Sequence, residues 1–500
     1  MKTQQTYDEI IRWYREISVL AGVGGLLHWD QQVNMPPLGI GRRSEQVALM
    51  DGILHRRLTD QVMVERLNAL AERVDELDET GRVNVREIKR EIDRAVKVPV
   101  ALVEEMSRHD SKAQSAWVEA RRDDNFAAFA PLLERTVELR KQEAAALGYE
   151  DKPYDAMLDR HEPFATESSI RTLLGDLRDR LVPFLETILD AEPVDASAII
   201  GRHYPIDKQR AFARTVVKSL GFDFAGGRQD VAAHPFCSGQ KGDVRITTRF
   251  FEDDFRPSLI ATIHEAGHAM YEQGVPDEHL DTPRGEAVSL GVHESQSRFW
   301  ENVIGRSLPF WKHFYPTLQE FYPEQLHDVS LEAVHRMMNI VKPSLIRVEA
   351  DEVTYNLHII LRFEIEVDLV AGRISVNDLP EVWNRKMKDY LHIDVPRDAD
   401  GVLQDIHWSL GALGYFPTYT IGNLYAAQLY KAIRADLADM DGLIERGDFA
   451  PILAWLREKI HTQGKRLPGD ELIEWATGEP PSAQPLMDYL REKYSPIYGL

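Results

Sequence analysis

Residues 258–274 read SLIATIHEAGHAMYEQG. Leu259, Ile260, Ile263, Met270 and Tyr271 recur at helical spacing, Pro257 precedes the run, and Gly274 followed by Pro276 closes it. The spacing predicts a helix of about four turns. Positions i and i+4 of a helix share one face, so His264 and His268 of the HEAGH pentapeptide can grip one metal ion from the same side. Glu265, next to the first histidine, is placed to take a proton from an attacking water. This arrangement marks zinc-dependent peptidases. Two histidines turned toward an apolar core without a metal would each need a hydrogen-bond partner.

A catalytic zinc generally takes three protein ligands and leaves a position for water. HEAGH is not followed by a further histidine at close spacing, because Glu272, Gln273 and Gly274 lead into a turn. The third ligand is therefore expected downstream. Residues 287–305, AVSLGVHESQSRFWENVIG, read as a second helix packed through Leu290, Phe299, Trp300, Val303 and Ile304. Glu294 and His293 within it are comparable candidates, and Glu286 and Asp281 are rivals. With a His/His/Glu set, Glu265 would accept the proton of the water that attacks the scissile carbonyl and pass it to the leaving amine.

Elsewhere helical periodicity dominates. Residues 5–20, 43–75, 83–108, 111–124, 126–147, 167–190 and 206–220 read as helices, with Pro99, Pro131 and Pro163 near starts or breaks. AGVGG (21–25) reads as a helix–helix turn and lacks the Gly-Lys-Ser/Thr of a phosphate loop. Between 221 and 250 the texture changes, and DVRITTRF (243–250) alternates as the best strand. The expected fold is mainly α with one small β-sheet near 230–250. No repeat, low-complexity tract or Pro/Gly-rich linker divides the chain, which points to a single domain.

Composition narrows the function. The chain has 500 residues, 43% hydrophobic and 28% charged, which is ordinary for a globular protein. A net charge of −22 repels phosphate, so nucleic acid is not an expected partner. A single cysteine, Cys237, excludes an intramolecular disulfide and reads as a small buried or half-buried thiol. The charged N-terminal stretch MKTQQTYDEIIRWYREIS has no apolar signal core, and no run of eighteen apolar residues offers a membrane span. A cytoplasmic location is expected.

Four further clusters bear on substrate binding. His234-Pro235-Phe236 precedes the strand, on which Asp243, Arg245 and Thr247 share one face. Ile346-Arg347-Val348-Glu349-Ala350-Asp351 is expected to open a helix after Pro343, with Arg347 and Asp351 on one side. GVLQDIHW (401–408) is the last. Each alone is weak. In the order HPF, DVRIT, HEAGH, HESQ, IRVEAD and GVLQDIHW, the chain closely resembles the carboxypeptidase Taq family of metallocarboxypeptidases. The likeness extends from LLHWDQQVNMPP (26–37) to GYFPTYTIGNLYAAQ (414–428), with no departure in the six motifs.

The resemblance implies a large helical, neurolysin-like zincin fold with a small sheet beside a long groove. Residues 1–220 would form one groove wall, and 221–500 would carry the metal site and substrate-binding motifs. It implies Glu294 as third ligand to one zinc or cobalt ion per chain, a homodimer, and release of single residues from peptide C-termini with broad preference. Arg347 matches the position that holds the substrate carboxylate, a task suited to arginine's fork of donors. Arg245 is the other candidate for that task. His407 and Tyr419 match residues near the oxyanion and leaving group. Asp243, Thr247, His234 and Gln296 complete the expected substrate-binding set. Two rival readings remain: a zinc oligopeptidase of similar fold, which would lack the carboxylate clamp, and a non-enzymatic helical scaffold, which would have no need of Glu265.

Overall fold

The computed structural model describes residues 2–197 and 199–500. It is 69% helix and 3% strand, the mainly α architecture expected, with one three-stranded sheet. The strands are β1 (Gly227–Val231), β2 (Cys237–Gln240) and β3 (Asp243–Thr248). β3 is central, parallel to β1 and antiparallel to β2. Its Val244 and Ile246 are fully buried. The sheet is fastened to the HEAGH helix, Arg256–Gly274, by Gln229 donating to Thr262 Oγ1 (3.0 Å) and Thr248 donating to the Ser258 carbonyl (3.1 Å).

Two hydrophobic clusters organise what surrounds the site. The larger runs from Ala113 to Tyr498 and contains the HEAGH helix. The smaller joins Ile10, Trp13, Tyr14 and Ile17 to Leu67, Leu70, Val85, Ile88 and Ile92 of the following helices. Polar contacts link the two. The Tyr14 hydroxyl lies 3.0 Å from both Glu91 and Glu286 and can donate to either, and Arg90 and Arg94 both bond Asp159.

The helices of 126–147 and 206–220 have the expected limits. Four expectations need correction. AGVGG is no turn: it lies inside one helix, Lys2–Val33. Each glycine costs a helix up to about 1 kcal/mol, but both flanks are anchored. Ile10, Trp13 and Ile17 are buried on one side. On the other, Trp29 is buried beneath the guanidinium groups of Arg228 and Arg245, 5.0 and 4.1 Å from its ring. The run 43–75 breaks at Asp60, whose side chain caps the next helix at Met63 N (3.1 Å), and 83–108 breaks at Val98-Pro99. The IRVEAD segment forms only a single 3₁₀ turn, Arg347–Glu349. Asp351 instead accepts from the backbone of Val353 and Thr354 and the Thr354 hydroxyl, just ahead of the helix Tyr355–Val370. No described helix is long and apolar enough to cross a membrane.

Candidate metal centre and active site

The HEAGH helix meets a second helix, Leu290–Arg298, that carries Glu294. Close approach depends on two glycines. A Cβ on Gly267 would stand 2.6 Å from Ser297 Cα and 2.8 Å from the Gln296 carbonyl. On the other side, a Cβ on Gly422 of the helix Pro417–Asp436 would meet Glu294 Cγ at 2.5 Å. The Glu294 helix is thus pressed between two backbones. Gly267→Ala should gain up to about 1 kcal/mol of helix propensity but lose about 1–3 kcal/mol to overpacking against backbone. The expected result is a lower melting temperature and reduced metal content, measured by calorimetry and elemental analysis. A variant as stable and as metal-rich as the parent would contradict this packing argument.

Three ligand atoms converge here. One donor atom each of His264, His268 and Glu294 lies within 4.8 Å of the other two. Glu294 Oε2 is 3.3 Å from His268 Nε2 and 3.7 Å from His264 Nε2. Two ligand atoms about 2.0–2.1 Å from a tetrahedral ion stand roughly 3.3 Å apart, so the spacing and the donor set fit a divalent metal. The remaining ring nitrogen of His264 bonds Glu301 Oε2 at 2.8 Å, which leaves Nε2 to face the centre. His268 Nδ1 is buried without a partner. Burial holds the His268 imidazole neutral, with its pKa down to about 3, and neutral is the ligating form.

The other third-ligand candidates are occupied elsewhere. His293 stacks on His268 (centroids 4.5 Å apart) but its Nε2 bonds Glu272 at 3.0 Å. Glu286 is held by Tyr14 and Lys465, and Asp281 by Ser18. Glu294 itself is clamped by Arg298 Nε (2.7 Å) and the Ser297 hydroxyl (3.0 Å). Burial opposes its charge, yet Arg298 and His264 hold its carboxyl well below the usual range. Past Arg298 the helix loosens into a π turn, Phe299–Ile304, which carries Glu301 to His264. Such insertions are frequent at functional sites. Sequence reading missed Arg298 and Glu301, although their spacing of four and seven residues from Glu294 places all three near one helical face.

Glu265 is 6% exposed. Burial pushes its carboxyl up to about 7; His264 opposes that shift, while Glu294 and Glu301 add to it. Cys237, on β2, is half-buried and unpaired, and burial first, then Glu265 and Glu272, pushes its thiol well up.

A second group of side chains is linked to this centre through Tyr355. The Arg298 guanidinium lies 4.5 Å from the Tyr355 ring, and the Tyr355 hydroxyl accepts from Arg347 at 3.0 Å. Arg347 is pinned by Asp405 Oδ1 through Nε (3.0 Å) and Nη2 (2.9 Å), so its ion-pair partner is Asp405 and not Asp351. Asp405 also accepts from Arg362 (2.7 Å), and burial notwithstanding, the two arginines keep it ionised. One carboxylate therefore serves two arginines and leaves an excess positive charge beside Tyr419, whose ring is 5.1 Å from the Arg347 guanidinium. His407 Nε2 lies 3.4 Å from the Tyr419 hydroxyl, and burial lowers the imidazole to about 4, against the pull of Asp405. Burial keeps the Tyr415 and Tyr419 phenols protonated, and both feel the charge of Glu294. Tyr355, Asp405 and Tyr415 had no assigned role in the sequence reading, since only the fold brings them together.

The rest of the expected set is dispersed. Arg245 pairs with Asp243 (2.8 Å) and lies over the Trp29 ring. Thr247 is fully buried and accepts from Phe236 N, so it shapes the strand ends rather than presenting a side chain. His234 is exposed. Gln296 corrects an expectation: it is fully buried on the far side of its helix from Glu294, bonded to His461 at 2.9 Å, and has no surface to offer a peptide.

The family model for the carboxypeptidase Taq (M32) metallopeptidases matches residues 9–494. The chain belongs to this family. It is 44% identical to thermostable carboxypeptidase 1 of Thermus thermophilus over 512 residues, covering all of both chains. It is 41% identical to carboxypeptidase 1 of Bacillus subtilis, covering 99% of each. The crystal structure of an M32 carboxypeptidase from Deinococcus radiodurans superposes with a TM-score of 0.97 at 38% identity, covering 99% of this chain and 100% of that one. As a carboxypeptidase Taq family member the chain is a metallocarboxypeptidase, a hydrolase that requires a divalent metal.

Proposed function

We propose that this metallocarboxypeptidase removes single C-terminal residues from peptides with broad preference, using one zinc or cobalt ion held by His264, His268 and Glu294. The observation that carries the reading is the convergence of those three donors beside a buried carboxylate, Glu265. A bound divalent ion would supply Lewis-acid activation of water and of the scissile carbonyl. Glu265, near neutral in its affinity for a proton, accepts one from the attacking water and returns it to the leaving amine. The Tyr419 phenol, with His407 behind it, donates a hydrogen bond where negative charge develops on the carbonyl oxygen. Arg347, held rigid by Asp405 and Tyr355, receives the terminal carboxylate. Arg245, Asp243, Thr247 and His234 form or support the strand beside which the peptide would lie.

The chain is read as one peptidase unit, residues 1–220 walling one side of the groove and 221–500 carrying the chemistry. A homodimer and a cytoplasmic location belong to the same proposal and rest on the family resemblance alone. Excess negative charge disfavours nucleic acid as a partner.

The test compares a peptide with its C-terminal amide. Arg347→Ala should lower kcat/KM on the free acid by about one to a few kcal/mol, the worth of a charge-assisted pair, and should barely change the slow reaction on the amide. Mass spectrometry of a digest should show a ladder losing one residue at a time. Equal cleavage of acid and amide by the parent enzyme would favour an oligopeptidase instead.

A further inference from the structure

Away from the metal centre, the N-terminal helices and residue Arg466 line an open surface cavity of about 540 Å³. Its size suits a small organic ligand. Val83 and Val85 contribute an apolar wall, while four cations, Arg82, Arg86, Lys89 and Arg466, line it with a single acid, Glu79. This is the reverse of the chain as a whole, where 81 acidic residues outnumber 59 basic ones. None of these residues takes part in the metal cluster or in the Arg347–Asp405 group.

Two of the four cations are already committed. Arg86 donates to Glu87 (2.6 Å) and to the Lys465 carbonyl (2.6 Å), and Lys89 pairs with Asp93 (2.9 Å). Arg82 and Arg466 have no carboxylate partner among the described residues. Arg466 rests 4.4 Å from the Trp475 ring, and its Nε is buried without a hydrogen-bond acceptor. Arginine's fork matches a carboxylate, and the valine wall accepts a hydrocarbon tail.

We propose that this cavity is a binding site for a small amphipathic monocarboxylate, its headgroup on Arg82 and Arg466 and its tail against Val83 and Val85. An amine or zwitterion is disfavoured because the two uncommitted arginines, Arg82 and Arg466, outnumber the one lining acid, Glu79. Because Arg86 already ties its helix to the backbone of Lys465 and Arg466, a ligand bridging Arg82 and Arg466 tightens the same joint between the N-terminal helices and the rest of the chain.

The experiment titrates the metal-loaded protein with sodium decanoate by calorimetry, with inorganic phosphate and decylamine as comparisons. Decanoate should bind one per chain, more tightly than either comparison. Arg82→Ala and Arg466→Ala should each weaken it by about tenfold, the effect of removing a charge-assisted contact. Glu79→Gln should strengthen it, a gain that damage to the fold would not produce. Arg347→Ala should leave it unchanged, which separates this cavity from the proposed carboxylate clamp of the active site. The proposal is overturned if decanoate does not bind, if the Arg82 and Arg466 variants bind it as the parent does, or if Arg347→Ala abolishes binding. Phosphate binding as tight as decanoate would also overturn it, since the apolar wall would then contribute nothing.

Discussion

Replacing Glu265 by Gln is expected to remove nearly all peptide turnover while leaving the metal in place. Glu265 is not one of the three converging donors, so the metal cluster stays intact. Gln has the same length and fills the same buried space, so the packing of the HEAGH helix is preserved. What disappears is the ability to hold and return a proton. A positioned general base contributes about 10²–10⁴-fold to rate, and burial places this carboxyl, at about 7, where acceptance and return are both easy near neutral pH. The measurement is steady-state hydrolysis of a free-acid peptide alongside elemental analysis of the same sample. A metal-loaded Gln variant with full activity would sink the assignment.

Glu294→Gln should cost both the metal and the stability of the metal-free protein. The carboxylate is the only anionic donor of the three, and it is also a buried counter-ion of Arg298. Arg298 keeps one other acidic partner, Glu301, at 3.2 Å. Breaking a buried ion pair from one side typically costs about 3–5 kcal/mol. The expected result is a preparation that loses its metal on dialysis and a chelator-treated protein that melts well below the chelator-treated parent. His293→Ala provides the contrast, because His293 faces Glu272. It should keep its metal. Metal retention in Glu294→Gln combined with loss in His293→Ala would reverse the choice of third ligand.

Much of this site was legible in the sequence for a physical reason. The i, i+4 spacing of His264 and His268 is a local property of one helix, and no long-range contact is needed to align them. The mainly helical class follows from periodicity in the same way, as do the limits of the helices at 126–147 and 206–220. Local reading failed where anchoring at a distance overrides propensity. The glycines at 22, 24 and 25 argue for a turn, but Trp29 is held by two arginines from the sheet, and the helix continues. It failed again at Arg347, where a helical pairing with Asp351 was the natural expectation and Asp405, 58 residues away, is the partner.

The sequence by itself therefore determined the helical class, the two-histidine grip with Glu265 beside it, and the family, because each rests on spacing within a segment or on ordered motifs. Tertiary structure decided what those segments meet. It set Glu294, and not His293, against the two histidines, and it showed how Gly267 and Gly422 let three helix backbones close around that carboxylate. It turned Gln296 into the core and joined Arg347 to Asp405 and Tyr355. Side-chain direction across different elements depends on how the helices pack, and that packing is a property of the whole chain.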